Sequence, residues 1–236
     1  MPKINVYLPD DLADAVRDSG IPVSAICQRA LEQAMRRMQA IREVSLSNLE
    51  PAAFSERLPT FTGRLVMALS LAAERAKAAG ATVVTTGDLL GGLQAEGSNL
   101  ALQILTAMDV APASLTAPST PEPGPAADGL RFSTPAAVAL ELAVGEAVGF
   151  GHNYVGCEHL IVALAGEPDG AAGELLRSRG TDARSTRRAV AAALAGYVHL
   201  RANTAQAPAS SALMAAFHAE LVPLIERLER LEARVN

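Results

Sequence analysis

Phe132-Ser-Thr-Pro135, Gly151-His-Asn-Tyr-Val-Gly156 and Cys157-Glu-His-Leu160 follow one another along one segment of this chain. A thinner version of the same segment occurs earlier. Phe61-Thr62 opens it, and a gapless alignment at an offset of 71 residues (132 − 61) pairs Leu69 with Leu140, Gly80 with Gly151, Leu89 with Leu160 and Leu93 with Leu164. The second copy shows four helical segments, at roughly 134–149, 157–166, 169–179 and 182–195, with Gly151 and Gly180 at natural stop positions. The first copy runs from about 60 to 111. After it, Pro112, Pro118, Pro121, Pro123 and Pro125 forbid a continuous helix, so the first copy lacks a full fourth helix.

Composition bounds the possibilities. A chain of 236 residues, 50% of them hydrophobic, can bury one good core and a small accessory domain. A net charge of −5 gives no global pull toward nucleic acid or anionic lipid. Cys27 and Cys157 stand alone and far apart, which argues against a disulfide framework and for a reducing, cytoplasmic home. The opening Met-Pro-Lys-Ile has no apolar run, so no signal peptide is expected, and no stretch reaches the length of a membrane span.

Strand-like alternation occurs in Lys3-Ile-Asn-Val-Tyr-Leu-Pro9, where Ile4, Val6 and Leu8 face one way and Lys3, Asn5 and Tyr7 the other. Pro9-Asp10-Asp11 starts a helix that Ser19-Gly20 ends, and a second helix starts near Pro22-Val-Ser24. Strand, helix, tight turn and helix, with the phrases Val6-Tyr-Leu-Pro-Asp-Asp-Leu12 and Ser24-Ala-Ile-Cys-Gln-Arg-Ala-Leu31, resemble the antitoxin branch of the ribbon-helix-helix DNA-binding proteins. A lone apolar strand needs a partner, so two chains would pair their strands and form a homodimer. The resemblance implies that Lys3, Asn5 and Tyr7 read base edges of operator DNA, and that amides at Val23 and Ser24 clamp a phosphate. Against this, residues 1–45 hold six Lys/Arg and six Asp/Glu, a neutral domain, which leaves a purely dimerising head as the other reading.

The repeat itself, through Phe132-Ser-Thr-Pro135, Gly151-His-Asn-Tyr-Val-Gly156 and Cys157-Glu-His-Leu160, resembles the paired N-domain repeat of the Clp unfoldases, ClpC above all. That resemblance implies a helical body that captures substrates and adaptors. It implies that Glu158 pairs with the guanidinium of phosphoarginine, with Ser133, and Thr62 in the first copy, touching the phosphate. It also implies that the neighbourhood of Phe61 and Phe132 accepts cyclic-peptide antibiotics, although both rings read equally as core. The first copy departs at the decisive position, since Gly87 stands where Glu158 stands in the second. His152, Cys157 and His159 are close enough in sequence to suggest a metal site, one ligand short unless Glu158 joins, but the consecutive Cys157, Glu158 and His159 at a helix start are expected to fan out and not to converge easily on one ion.

The chain thus divides into a head (1–45), a linker (46–59), a first repeat (60–111), a Pro-rich linker (112–131), a second repeat (132–197), a linker (198–211) and a C-terminal amphipathic helix (212–236). In that helix Phe217, Leu221, Leu224, Leu228, Leu231 and Val235 form a seam for dimerisation or for docking on the body. The fold class expected is mainly α. No P-loop, nucleophile elbow or Cys/His pair with an orienting acid is present, so no enzyme and no cofactor is expected. The functional expectation is a stand-alone protein of the kind found beside ClpC in actinobacteria. It would bind Clp ligands and act as a DNA-binding regulator or decoy. The alternative is an adaptor or anti-adaptor of the ClpC–ClpP protease, with Clp components or substrates as partners.

Overall fold

In the computed structural model the described residues are 5, 7–124 and 129–206, with only the backbone described at 46 and 197–206. They form helices α1 (Asp10–Ser19), α2 (Val23–Leu46), α3 (Phe54–Arg57), α4 (Gly63–Ala78), α5 (Thr86–Glu96) and α6 (Leu100–Ala107), then α7 (Thr134–Gly149), α8 (Cys157–Gly166), α9 (Ala171–Ser178) and α10 (Ala183–Gln206). Two dipeptide strands, β1 (Val83–Val84) and β2 (Arg131–Phe132), complete the set. The chain separates into two compact units, 1–190 and 191–236. Of the second, the described part is the remainder of α10. The C-terminal seam from Phe217 to Val235 lies outside the described residues, as do Lys3, Ile4 and Val6 of the expected strand.

The repeat is visible residue by residue. Helix α4 buries Leu65, Ala68, Leu69, Ala72, Ala73 and Ala76. Shifted by 71 positions these become Ala136, Ala139, Leu140, Ala143, Val144 and Ala147, all buried in α7. Each helix opens on a hydroxyl cap, Thr62 accepting from the Leu65 amide and Ser133 from the Ala136 amide. Each is followed by a glycine at positive φ, Gly80 (68°) and Gly151 (72°), where the chain must reverse. The stripe of alanines lets the next helix approach closely. A Cβ added at Gly92 of α5 would lie 2.1 Å from the Ala68 carbonyl oxygen.

The two copies are joined by a reciprocal backbone exchange. β1 and β2 pair in parallel, Val84 opposite Phe132, and Phe61 makes the matching parallel bridge with Val155. The amide of Ser133 donates to the Val84 carbonyl and the amide of Thr62 to the Val155 carbonyl, both at 2.9 Å. Each pair is the other shifted by 71. The opening of each repeat is therefore hydrogen-bonded to the strand of its neighbour, and Phe132 stacks on Phe54 with centroids 6.4 Å apart.

Two stretches expected as linkers are built into the body. Residues 46–59 contain Leu49, Phe54 and Leu58, all at most 2% exposed. Between α6 and β2 the proline-rich segment is a strap laid against α5. Gln94 donates to the carbonyls of Pro112 and Leu115, Arg75 donates to that of Ala117, and Leu115 and Ala117 are buried. Prolines forbid a helix there but do not forbid packing, because an extended segment anchors through its carbonyls and a few side chains.

Helix α2 is the longest element of the head and ends inside the body. Its C-terminal turns bury Ile41 and Val44, and Arg42 makes a two-pronged ion pair with Glu141 of α7 at 2.9 and 3.1 Å. The N-terminal part is different. Among the described residues from Asn5 to Ala40, none is buried, and Leu12, Ile26, Leu31 and Met35 are about half exposed.

Gly92→Ala should destabilise the protein by about 1–3 kcal/mol, because the new methyl has no room between α4 and α5. Gly145→Ala, on a helix face with nothing within 4 Å, should instead stabilise by about 0.5–1 kcal/mol. Urea denaturation of the two variants beside wild type measures both.

Candidate functional site

The strongest concentration of polar and aromatic side chains in the body lies where the loop 150–156 enters α8. Glu158 sits in the first turn of α8 and is 6% exposed. Burial pushes its carboxyl above the usual carboxylate range, while its own backbone amide, His152 and the Tyr154 hydroxyl pull the other way. Tyr154 in turn is raised, chiefly by burial and then by the Glu158 charge. The result is a carboxyl group in the first turn of a helix, close to a phenol and shielded from bulk water.

An aromatic stack fixes this loop. Tyr154 lies on His152 (4.9 Å, 8° between planes), His152 on Phe150 (5.7 Å, 17°), and the Arg187 guanidinium caps Phe150 at 5.9 Å. Arg187 is held in turn by both oxygens of Glu146 at 2.7 Å. From the head, Arg37 donates to the carbonyls of His152 and Asn153, each at 3.0 Å. The loop is thus gripped from α2 and from α10.

His152, Glu158 and His159 bring three ligand-type atoms within 4.8 Å of one another, the group of this kind among the described residues. The hydrogen bonds assign the tautomers. The Gly156 amide donates to His159 Nδ1 at 2.8 Å, so the proton of neutral His159 is on Nε2 and is donated to His152 Nδ1, also at 2.8 Å. The expectation that consecutive residues fan out therefore fails for Glu158 and His159, but both His159 nitrogens and His152 Nδ1 are already hydrogen-bonded, and an ion taking any of them would have to break those bonds. Burial, and then His152, lowers the His159 pKa to about 4. Cys157 is pushed up to about 12 by burial and the Glu158 charge, which leaves it an inert thiol.

The expected ligand residues separate on the structure. Thr62 is half-buried, and its amide bond to Val155 brings it to the strand three residues before Glu158. Ser133, expected beside Glu158 as its partner in the same repeat, is bonded through its amide to Val84 of the other repeat. Its hydroxyl is fully buried and donates to Glu122 at 2.6 Å. The exchange of strands crosses the pairing. Through their amides, the Thr62 backbone lies beside the strand that precedes Glu158 and the Ser133 backbone beside the strand that precedes Gly87, while each hydroxyl caps its own helix. Phe132 at 1% and Phe61 at 8% exposure are core rings, not surface anchors for a cyclic peptide.

On the head, Asn5 is exposed, Tyr7 is 94% exposed, and Val23 and Ser24 are exposed at the start of α2. The Val23 amide, expected to hold a phosphate, donates instead to the Ile21 carbonyl at 2.9 Å. An open depression of about 510 Å³ is lined by Asn48, Leu49, Glu50, Lys77 and Leu130, among others. It shares no residue with the Glu158 loop. Sequence reading missed Glu122, Arg37 and Tyr154. Tyr154 was within reach, two residues from the Gly156 cap of α8, but Glu122 and Arg37 act across 36 and 115 positions and left no local signal.

The family model of the Clp repeat (R) N-terminal domain matches residues 131–220. The ATP-dependent Clp protease ATP-binding subunit ClpA homolog of Porphyra purpurea is 34% identical over 131 residues, 54% of this chain and 16% of that protein. Chaperone protein ClpC1, chloroplastic, of Oryza sativa subsp. japonica is likewise 34% identical over 131 residues, covering 54% of this chain and 14% of that one. Among solved structures, the N-terminal domain of the chaperone ClpD from Arabidopsis thaliana is similar, at 25% identity and a TM-score of 0.41, over 58% of this chain and 95% of that one. Residues 131–220 thus match the Clp repeat N-terminal domain, and the chain spans only a small part of the length of the curated relatives it matches. No helix among the described residues is long and apolar enough to cross a membrane.

A buried neutral histidine makes stability pH-dependent with a definite sign. The unfolded chain binds a proton at His159 near pH 6.5, whereas the folded chain refuses it until about pH 4. The stability this gives is complete above pH 6.5 and is lost as pH falls toward 4, by up to about 3 kcal/mol. Glu158, with its raised pKa, works in the opposite direction. His159→Asn retains an acceptor for the Gly156 amide and should flatten the loss. Denaturant unfolding of both proteins at pH 7, 5.5 and 4.5 reads the difference.

Proposed function

We propose that this chain is a non-enzymatic capture module, in which a Clp-type body binds ligands of Clp unfoldases and an N-terminal head joins two copies. The observation that supports the capture role is the Glu158 carboxyl, buried in the first turn of α8 near Tyr154, with the Thr62 amide bonded to Val155 three residues before it. A buried carboxylate with an adjacent hydroxyl suits a planar cation bearing an anionic group, the description of a phosphoarginine side chain. Cyclic-peptide antibiotics and protein substrates are the other ligands this reading admits. With Gly87 in the first repeat, one such site per chain is expected.

The head supports a dimer for a physical reason. Two helices without a buried residue between Asn5 and Ala40 cannot be held by burial within one chain, and their exposed Leu12, Ile26, Leu31 and Met35 call for a covering surface. A second copy in the ribbon-helix-helix arrangement supplies it and places Asn5 and Tyr7 on a shared ribbon toward operator DNA. The chain would then act as a DNA-binding autoregulator, or as a decoy that withholds ligands from the unfoldase. The neutral charge of residues 1–45 favours a second reading, in which the head only dimerises and the body is an adaptor or anti-adaptor of ClpC–ClpP. Salt-sensitive, sequence-specific binding to its upstream DNA, lost in Asn5→Ala and Tyr7→Ala dimers, separates the two.

Glu158→Ala should weaken phosphoarginine binding at least about tenfold, since a charged hydrogen bond is worth about 1.5–3 kcal/mol. Thr62→Ala should weaken it as well, while Ser133→Ala should leave it nearly unchanged. Calorimetry with a phosphoarginine peptide tests the set, and no binding by wild type ends the phosphoarginine reading.

Removing residues 1–34 should convert a dimer into a folded monomer at micromolar concentration, because Arg37, Ile41 and Val44 stay in place to complete the body. Sedimentation velocity gives the mass. A monomeric full-length protein would rule out the ribbon-helix-helix arrangement.

A further inference from the structure

Glu122 is the one charged side chain that the proline-rich strap sends inward. It is 8% exposed, and its carboxylate collects donors from three separate elements. The Thr86 amide at the start of α5 donates at 2.9 Å, the Thr86 hydroxyl donates as well, the Ser133 hydroxyl donates at 2.6 Å, and the Ala171 amide at the start of α9 donates at 3.2 Å. No charged nitrogen is among these partners, so the carboxylate is held by hydroxyls and by the positive ends of two helices.

The surroundings are shaped for the strap. A Cβ at Gly87 would lie 2.0 Å from the Pro118 carbonyl oxygen, one at Gly124 would lie 2.5 Å from Val83, and one at Gly170 would lie 2.6 Å from the Thr86 hydroxyl. Gly87 is the counterpart of Glu158. In the first repeat the strap therefore crosses the place where the second repeat carries its carboxylate side chain, and it brings a carboxylate of its own from the other side. Around Glu122 the strap is lightly held. Ser119, Thr120, Pro121, Pro123 and Gly124 are all exposed, and the neighbouring anchors are the buried Ala117 and one bond from the Thr134 amide to the Pro123 carbonyl at 2.7 Å.

We propose that Thr86, Ser133 and Ala171 form an anion subsite occupied in cis by Glu122, and that residues 119–124 of the strap are a latch that closes this half of the body to carboxylate- or phosphate-bearing ligands. The carboxylate takes the place of a ligand's anionic group. Residues 119–124 are exposed apart from Glu122 and make one backbone bond besides its contacts, so their release costs much less than opening the core and a ligand offering the same charge can compete for the donors. This goes beyond the capture role assigned to Glu158 and stands on different residues, so either can fail without the other.

The test uses the full chain with Glu122→Ala and Glu122→Gln, titrated with inorganic phosphate and with sodium acetate against sodium chloride at matched ionic strength, while thermal unfolding is followed. Glu122→Ala should melt several degrees below wild type in chloride, and phosphate or acetate should restore the loss saturably. Wild type, whose subsite stays filled, should shift by less than a third as much, and Glu122→Gln, whose amide nitrogen must face a backbone N–H, should melt below wild type. The more effective anion identifies the ligand group as phosphate or carboxylate. If Glu122→Ala is unfolded in chloride, recovery of its circular dichroism in either anion supports the subsite equally. Absence of a saturable response to both anions, in a folded or an unfolded variant, would show that Glu122 is a structural cap only.

Discussion

The body depends on a pair of parallel backbone contacts that run in opposite senses between two copies of one sequence. Phe61 meets Val155 and Phe132 meets Val84, and in each case the following hydroxyl residue donates its amide across the join. Two-residue strands contribute little by themselves. Their importance lies in what they fix. Each opening phenylalanine is drawn into the common core, and each cap residue is set at the start of its own repeat's first helix while its amide is bonded to the neighbouring repeat. Neither copy can complete its own core, so the body folds as one unit with a nearly continuous buried cluster from Ile41 to Leu176.

Approximate symmetry makes the departures from it informative. At the starts of α5 and α8 the same backbone geometry is finished by different chemistry. Thr85 and Asp88 form a reciprocal capping box in the first repeat, where Gly156 and His159 stand in the second. The imidazole keeps the acceptor role of Asp88 without bringing a second charge beside Glu158. That substitution matters electrostatically, because two carboxylates one residue apart in a buried turn would drive one of them to protonate. In the first repeat the reverse arrangement holds. Asp88 remains, paired with Arg75 at 3.2 Å, and the counterpart of Glu158 is a glycine under the strap. Each helix start thus carries one buried side-chain carboxylate of its own, at different positions, and the strap supplies the further acceptor that the first helix lacks.

How much of this could be read in the sequence follows from how local each cause is. The repeat was legible because identical spacing reports identical helices, and the second-repeat helices at 134–149 and 157–166 fall where periodicity and caps placed them. The crossing of Ser133 and Thr62 was not legible. Alignment pairs residues within a copy, whereas the exchange pairs them between copies. The strap was expected as a linker because proline excludes a helix, yet a single inward carboxylate and four carbonyl anchors suffice to hold an extended segment. The connector 46–59 failed for the same kind of reason. Pro51 and Pro59 flank Phe54, and a stacked aromatic pair outweighs local turn composition.

Helix α2 poses the remaining structural question, since one continuous helix belongs to both the exposed head and the buried body. Its last turns are fixed by Ile41, Val44 and the Arg42–Glu141 pair, and Arg37 sits at the boundary with both of its bonds on the carbonyls of the Glu158 loop. A helix of 24 residues is stiff over its length, so the direction of the head is set by where the body holds the final turns. The Arg37 bonds go to main-chain oxygens and not to a carboxylate. Their strength therefore depends on the loop keeping its shape, through the His159–His152 hydrogen bond and the stack of Tyr154, His152 and Phe150. Any ligand that moves Tyr154 to reach Glu158 must disturb that stack, and the first contact beyond it is the guanidinium at the base of the head. The Glu158 loop and the head would be coupled only to the extent that a ligand prefers one arrangement of this loop over the other. Arg37 is the residue through which that preference has to pass.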